Sequence, residues 1–394
     1  MNKNKRILFV SPGCPYPLID GGAIRIYQDL MFLKRMGFAI DLIYVSHYDD
    51  DKIVKEGLKS VCDNVYRYHI SKIHSYWNVL KGLILNNRKP MQVNYFYLPK
   101  VKKFIEDHHS QYDMLFAVTV RAAEYIRKCN NTKVIDYIDS IALGYEKGRH
   151  YKKDIWRFLY DIDYRLLSKY EKNIFDDFNI RFIISDVDRK NIIGASSKKM
   201  GIVRNFYTIK PGRTVPQREG NHNIVFVGSM FYDPNVVAAV YFVKEVLPSI
   251  VAKYPDTKFY IVGNRPTREV QNLASDHVVV TGYVDDVWPY LQKAGVIVVP
   301  MMSGAGLQNK ILEALSIRAC IVTTITGAGG LVRDEGAPLI ANNTDEMISK
   351  ICDVFEMSIE HRKEMVDKGF NYLLKYYTED VVFESFRQQF HDLK

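Results

Sequence analysis

The chain has 394 residues, enough for two domains, and its 47% hydrophobic and 25% charged content excludes a disordered protein. No apolar run approaches the ~20 residues of a membrane span, and the basic start at residues 1–6 meets an apolar run too short for a signal peptide. The net charge of +9 is uneven, because residues 1–200 hold 34 Lys/Arg against 23 Asp/Glu while the rest holds 20 against 22.

In chain order, residues 5–11 predict a strand buried on both faces. A loop of turn-formers, residues 12–22, leads to a helix with apolar positions at Ile26, Leu30, Leu33 and Met36, closed by Gly37. Residues 39–45 are the next strand, and this βαβ opening predicts a doubly wound parallel sheet. The dinucleotide signature G-x-G-x-x-G is missing at the first turn, which argues against a nicotinamide site.

Between Asp63 and Glu106 there is no carboxylate; eight Lys/Arg are interleaved with Tyr66, Tyr68, Tyr76, Trp77, Tyr95, Phe96 and Tyr97. This pattern points to an anionic membrane surface, with no motif for nucleic acid. The plainer alternative is a solvated basic face over core aromatics. Further strands follow at 112–118 and 133–139, with Asp139 at a strand end, where open α/β sheets place ligands; a helix cap is the alternative there. A charged helical region over 150–179 precedes a strand at 180–185, a helix capped by Ser185 or Asp186, and a final strand near 201–205.

Residues 207–222 read as a Pro/Gly-bearing linker. A second α/β run starts at 223–229. A helix spans 235–254, with Pro248 near its end, and strands at 258–263 and 277–282 each finish in glycine. An apolar run, residues 295–300, then empties into Ser303-Gly304-Ala305-Gly306 and a helix carrying Lys310 and Glu313. Strand, glycine turn and helix start together present backbone N–H groups and the positive helix end to an anion. Lys310 and Glu313, three apart, would face one side and suit a diphosphate and a ribose. A surface loop merely shaped by its glycines is the alternative. A strand at 319–324, the glycines 327, 329 and 330, and helices to the end complete the chain. The five cysteines form no CxxC and read as reduced core thiols.

The second half resembles the retaining GT-B glycosyltransferases of the GT4 type, glycosyl transferases group 1. The resemblance is carried by Phe226-Val227-Gly228-Ser229-Met230 with Pro234-Asn235, Ile261-Val262-Gly263, Thr281-Gly282-Tyr283-Val284, and Val299-Pro300 with Gly304-Ala305-Gly306 and Lys310-Ile311-Leu312-Glu313-Ala314. Gly327-Ala328-Gly329-Gly330-Leu331 closes it. The first half matches more loosely, through Gly21-Gly22 with Arg25 and through Val203-Arg204-Asn205.

The resemblance implies an α/β GT-B fold: two Rossmann-like doubly wound domains, residues 1–206 and 223–375, an interdomain cleft, and a crossover of residues 376–394 onto the first domain. It implies donor binding by Gly228, Ser229, Gly282, Tyr283, Val284, Gly304, Ala305, Gly306, Leu307 and Glu313. Gly21, Gly22 and Arg25 would lie on the acceptor or diphosphate side. Three departures matter. The first glutamate of the family's E-x7-E motif falls at Ala305, and Ser229 and Pro234 stand where many members carry an arginine and a lysine. The first-lobe histidine has no clear match, and Asp139 occupies roughly that part of the chain. Lys310 is thus the expected leaving-group cation and Asp139 a second catalytic candidate.

The implied reaction moves a sugar from a UDP- or GDP-sugar to a glycan or lipid-linked acceptor with retention, without metal or cofactor. Its setting would be bacterial surface polysaccharide assembly, in the cytoplasm at the inner face of the plasma membrane. Membrane attachment is expected through residues 65–104. A silent nucleotide-sugar-binding protein and a GT-B-fold epimerase are the alternatives.

Overall fold

The computed structural model describes residues 5–18, 20–47, 56–85, 87–194 and 199–391. The sequence places the acidic run Asp49-Asp50-Asp51 in a loop, and that run lies outside the described residues. Two compact units emerge: Met1–Glu146, Lys153–Asn205 and Phe383–Lys394 form one, Lys147–Lys152 and Phe206–Val382 the other. The second unit therefore takes in residues 207–222, expected as a linker, together with Phe206. Val215 N donates to Ile317 O and Gln217 Nε2 to Arg318 O, at 2.8 and 2.9 Å, so this segment is docked rather than free.

Among the described residues the first unit holds seven strands: β1 (Arg6–Ser11), β2 (Ala39–Ser46), β3 (Asn64–His69), β4 (Met114–Val118), β5 (Thr132–Asp136), β6 (Ile180–Ile183) and β7 (Gly201–Ile202). All pairings are parallel, in the order β3-β2-β1-β4-β5-β6-β7. The order reverses between β1 and β4, and ligands of such sheets sit at the carboxyl ends beside that reversal. The continuous apolar runs of the central strands are buried on both faces; Phe9 stacks on Phe116 with ring centroids 4.6 Å apart. The helix Gly21–Arg35 starts at Asp20, whose Oδ1 accepts from Ala23 N at 2.8 Å, and ends before Gly37 at φ +87°.

Strand β3 was not expected. It is an edge strand whose Tyr66 and Tyr68 lean on Phe104, centroids 5.1 and 6.3 Å away. The basic, aromatic segment thus divides in two: Tyr66, Tyr68 and Tyr97 pack on the core, while Tyr76 and Trp77 project from the helix Lys72–Ile84.

Residues 383–391 return to the first unit, a crossover that starts later than the expected 376. Phe386 meets Phe32 and Phe182 at 5.4 Å each, Phe383 meets Phe32 at 5.3 Å, and Ser385 Oγ donates to Ile202 O.

The second unit holds β8 (Ile224–Val227), β9 (Phe259–Val262), β10 (Val278–Val280), β11 (Val296–Val299), β12 (Ile321–Thr324) and β13 (Leu339–Ala341), all parallel, in the order β10-β9-β8-β11-β12-β13. Here the reversal lies between β8 and β11. The helix expected over 235–254 is Asp233–Tyr241, a π-type turn Phe242–Val246, and Leu247–Lys253. Pro248 lacks an N–H and crowds the carbonyl four residues back, so the preceding turn widens. By length and composition Asp233–Lys253 could cross a membrane, but nearly half of it is buried, with Ala238, Phe242, Val246 and Ile250 in the core of the second unit.

Candidate active site

Of the residues singled out in the second half, the Gly228 and Gly304–Gly306 turns and Lys310 meet at the reversal of the second sheet, whereas Gly282, Tyr283 and Val284 lie at its β10 edge. Gly228 and Ser229 follow β8, and Gly304, Ala305 and Gly306 follow β11. Gly304 and Gly306 have φ of +104° and +73°, a backbone open chiefly to glycine. The turns are packed backbone against backbone. A Cβ on Gly263 would stand 1.7 Å from Gly228 O, and one on Gly330 would stand 2.5 Å from Leu307 Cα. The 327–331 loop therefore braces the 304–307 loop. Ser303, 1% exposed, leaves its Oγ with no hydrogen-bond partner among the described residues.

Lys310 belongs to the first turn of the helix Asn309–Ser316, whose N-cap Gln308 makes no side-chain capping bond. Its Nζ donates to Asn235 Oδ1 at 2.6 Å, lies 4.6 Å from the centroid of the Phe226 ring, and would be 3.0 Å from a Cβ on Gly228. No carboxylate pairs with it among the described residues. The side chain is partly exposed, yet burial of the ammonium, with no anion to offset it, pushes its pKa down to about 7. A positive group held over a glycine turn with no carboxylate partner among the described residues can receive an anion.

Glu313 turns to a different neighbourhood. Burial raises its pKa against the attraction of Lys210 and Arg213, and the Tyr207 phenol stands beside it. Arg213 is in turn paired with Asp286 at 2.8 Å. Gly282, at φ +70°, ends the β10 edge of the sheet; Tyr283 after it is 74% exposed and Val284 half-buried.

In the first unit Gly21 and Gly22 form the opening turn of the helix that follows β1, at the reversal of that sheet. Arg25 does not join them at the surface. Its guanidinium is fully buried, with Nε 2.7 Å from Asp136 Oδ2 and Nη1 2.9 Å from Val203 O. It ties the helix to β5 and to residues 203–205, a structural role in place of the expected ligand contact. Burial, reinforced by Asp136, holds the Asp29 carboxyl beside it well above the usual carboxylate range against the pull of Arg25.

Asp139 lies at the carboxyl end of β5, half-buried. The helix Ile141–Gly148 is capped instead by Ser140, whose Oγ accepts from Leu143 N, so capping does not account for Asp139. Burial, added to by Asp188 and opposed by Arg121, raises its pKa to about 7. Two β-branched residues at this edge, Thr119 and Ile138, have φ of +59° and +61°. Such strain persists where surrounding structure enforces it, and it collects at functional sites.

Sequence reasoning passed over Asn235 as a site residue, though it is the group that orients Lys310 and is itself fixed by a 2.9 Å bond from Nδ2 to Ser229 O. It also passed over Tyr207 and the strained pair Thr119 and Ile138. The signals for Asn235 were its place after Pro234 at a helix start and its presence among the residues that carry the family resemblance.

Residues 221–357 match the family model described as glycosyl transferases group 1. The chain is 26% identical to an uncharacterized 44.6 kDa protein in the cps region of Klebsiella pneumoniae, over 96% of this chain and 98% of that protein. Among solved structures, a glycosyltransferase from Rickettsia africae aligns with a TM-score of 0.64 at 13% identity, covering 100% of both chains. The Anabaena protein HepE, in complex with UDP and glucose, aligns at 0.65 and 13% identity over 99% of this chain and 100% of its own. The S. aureus protein TarM, in complex with UDP and alpha-GlcNAc-glycerol, aligns at 0.66 and 11% identity over 98% and 100%. The fold is GT-B. Within it, the matched segment spans the strands β8 to β13 and so includes the Gly228, Gly304–Gly306 and Lys310 turns of the second unit.

Proposed function

We propose that this protein is a GT4-type glycosyltransferase that moves a sugar from a UDP- or GDP-sugar to a hydroxyl of a glycan or lipid-linked acceptor, with retention. The observation that carries the reading is the Lys310 ammonium, free of any carboxylate partner among the described residues and held by Asn235 over the Gly228 turn at the reversal of the second sheet. Glycosyl transfer breaks the bond between the sugar's anomeric carbon and the departing phosphate oxygen, and charge grows on that oxygen. Lys310 and the amides of residues 304–307 would stabilise that charge. The acceptor oxygen bonds to the same face of the anomeric carbon, and its proton passes to the departing phosphate. No covalent glycosyl-enzyme is invoked. Glu313 is assigned to the donor ribose, Gly282, Tyr283 and Val284 to the base, and Asp139 to the acceptor. The HepE and TarM complexes, which hold UDP, support the donor class.

The test is nucleotide release from a panel of UDP- and GDP-sugars, with and without lipid-linked acceptor. Turnover is expected to need acceptor, to survive chelation of divalent metals, and to fall about 10²–10³-fold in Lys310→Ala. Unchanged turnover in that variant would overturn the assignment, and a product of inverted configuration would overturn retention.

The cps-region relative supports a role in surface polysaccharide assembly. We further place the protein on the anionic inner face of the plasma membrane through residues 65–104. The helix Lys72–Ile84 supports this, because it turns Ile73, Tyr76, Trp77, Leu80 and Ile84 outward at helical spacing. Flotation with anionic but not zwitterionic vesicles is the expected result.

A further inference from the structure

We infer that the cavity behind the helix Lys72–Ile84 receives the phosphate of an anionic lipid headgroup. The inference rests on the membrane reading above and adds a site to it. The helix is inside out by the standard of a soluble protein. Its apolar stripe, Ile73, Tyr76, Trp77, Leu80, Leu83 and Ile84, is 41–83% exposed, and its only buried residues are Ser75 and Gly82. Behind it lies a cavity of about 220 Å³ whose lining includes Asn78, Lys81, Asn87, Lys89, Asn94 and Tyr97.

The walls are amides fixed to one another. Asn78 Nδ2 donates to Tyr97 O at 2.8 Å, and Asn87 Nδ2 to Asn94 Oδ1 at 3.0 Å. Gly82 admits Asn94, since a Cβ there would lie 2.3 Å from Asn94 Nδ2. Two lysines line it. Lys89 belongs to a balanced set, paired with Glu124 at 2.6 Å while Arg127 joins Glu124 and Asp177 at 2.8 and 2.7 Å, so the surplus charge rests on Lys81. The Lys81 ammonium has no partner among the described residues, and no carboxylate occurs from residue 64 to residue 105. A chamber walled by three amides, a phenol and the apolar Leu85, Val93 and Pro99, with the Lys81 charge beside them, suits an anion rather than a cation. Leu85, which lines the cavity, is 65% exposed and continues the apolar stripe, so the occupant must be charged at one end and apolar at the other. A phospholipid meets both demands, and a soluble phosphate meets only the first.

The test uses the full chain and vesicles of phosphatidylcholine with and without phosphatidylglycerol. Lys72→Glu lies on the same helix outside the cavity lining, so it reads the diffuse electrostatic loss. Lys81→Glu makes the same charge change inside. One basic charge near an anionic surface is worth about fivefold in binding. Lys81→Glu is therefore expected to weaken binding at least about fivefold beyond Lys72→Glu, and Asn78→Leu, which changes no charge, to weaken phosphatidylglycerol binding without altering the circular dichroism spectrum. Equal losses in the two glutamate variants, with no loss in Asn78→Leu, would overturn the site and leave the membrane reading standing. Saturable binding of glycerol phosphate that depends on Lys81, with vesicle binding untouched by Lys81→Glu, would reassign the cavity to a soluble ligand and overturn it too. Failure of the wild-type chain to bind any vesicle would overturn both readings.

Discussion

Lys310 donates to an amide oxygen rather than to a carboxylate, so its charge is kept in place without being spent. Its folded pKa, about 7, lies below the ordinary lysine value. Protonation therefore destabilises the folded chain: the penalty is complete below about pH 7 and is relieved as pH rises from there toward 10.5. Ligand binding runs the other way. A nucleotide sugar carries unchanged diphosphate charge across this range, so its dissociation constant is expected to rise by up to about tenfold per pH unit above pH 7. Lys310→Arg, whose charge does not titrate, should abolish that slope; calorimetric titration at pH 6, 7, 8 and 9 measures both. Gly228→Ala puts a methyl 2.7 Å from Asn235 Nδ2 and 3.0 Å from Lys310 Nζ, and should cost at least tenfold in donor affinity while the unfolding midpoint moves little. Lys310 was legible in sequence from its distance to two glycines and a strand end. Arg25 was not: it falls beside Ile26 on the helix face that turns inward, and residue type alone does not say whether a guanidinium meets ligand or carboxylate. Asn235 was hidden because its partner is 75 residues away in the chain.

At the scale of elements, buried titratable groups collect at helix starts and strand ends. The carboxyl edge of β5 gathers Asp139, Glu171 and Asp188 around Ser140. Ser140 Oγ donates to Glu171 Oε2 at 2.7 Å, and Ser140 N to Asp188 Oδ1 at 3.1 Å. Burial, against the pull of the Ala142 N–H and Ser140 hydroxyl, raises the Glu171 pKa to about 8. Because the folded value exceeds the unfolded one, this group costs stability as pH climbs from about 4.5 to 8, and the cost is complete above that. Glu171→Gln is expected to be neutral or slightly destabilising at pH 5 and to gain up to ~5 kcal/mol at pH 9, as chemical denaturation at the two pH values would show. The strands β1, β4, β8 and β11 were legible from unbroken apolar runs. Strand β3 was not, since its Tyr66-Arg67-Tyr68-His69 alternation sits inside a long basic, aromatic stretch that masks a period of two. The same stretch hides the inverted helix, because exposed and buried aromatics have one composition; only Ser75 and Gly82, seven residues apart, mark its inner side.

At the scale of the molecule, two sheets with the same reversal were foreseeable from the βαβ rhythm, whereas the boundaries were not: the Pro/Gly content of 207–222 signals a linker even though one backbone and one side-chain hydrogen bond dock it onto the second unit. The crossover is the other long-range feature. Phe386, fully buried between Phe32 and Phe182, should cost about 3–5 kcal/mol when cut to alanine. The expected trace in calorimetry is a lowered first-unit transition with the second unit's transition in place. This arrangement also sets an order of birth. On the ribosome, residues 206–382 emerge before residues 383–391, so the second unit has all its strands while the first, begun earlier, still lacks the phenylalanines that close it. The nascent first unit must wait with Phe32 and Phe182 uncovered, and it is at that moment, rather than in the finished protein, that the chain is most exposed to aggregation.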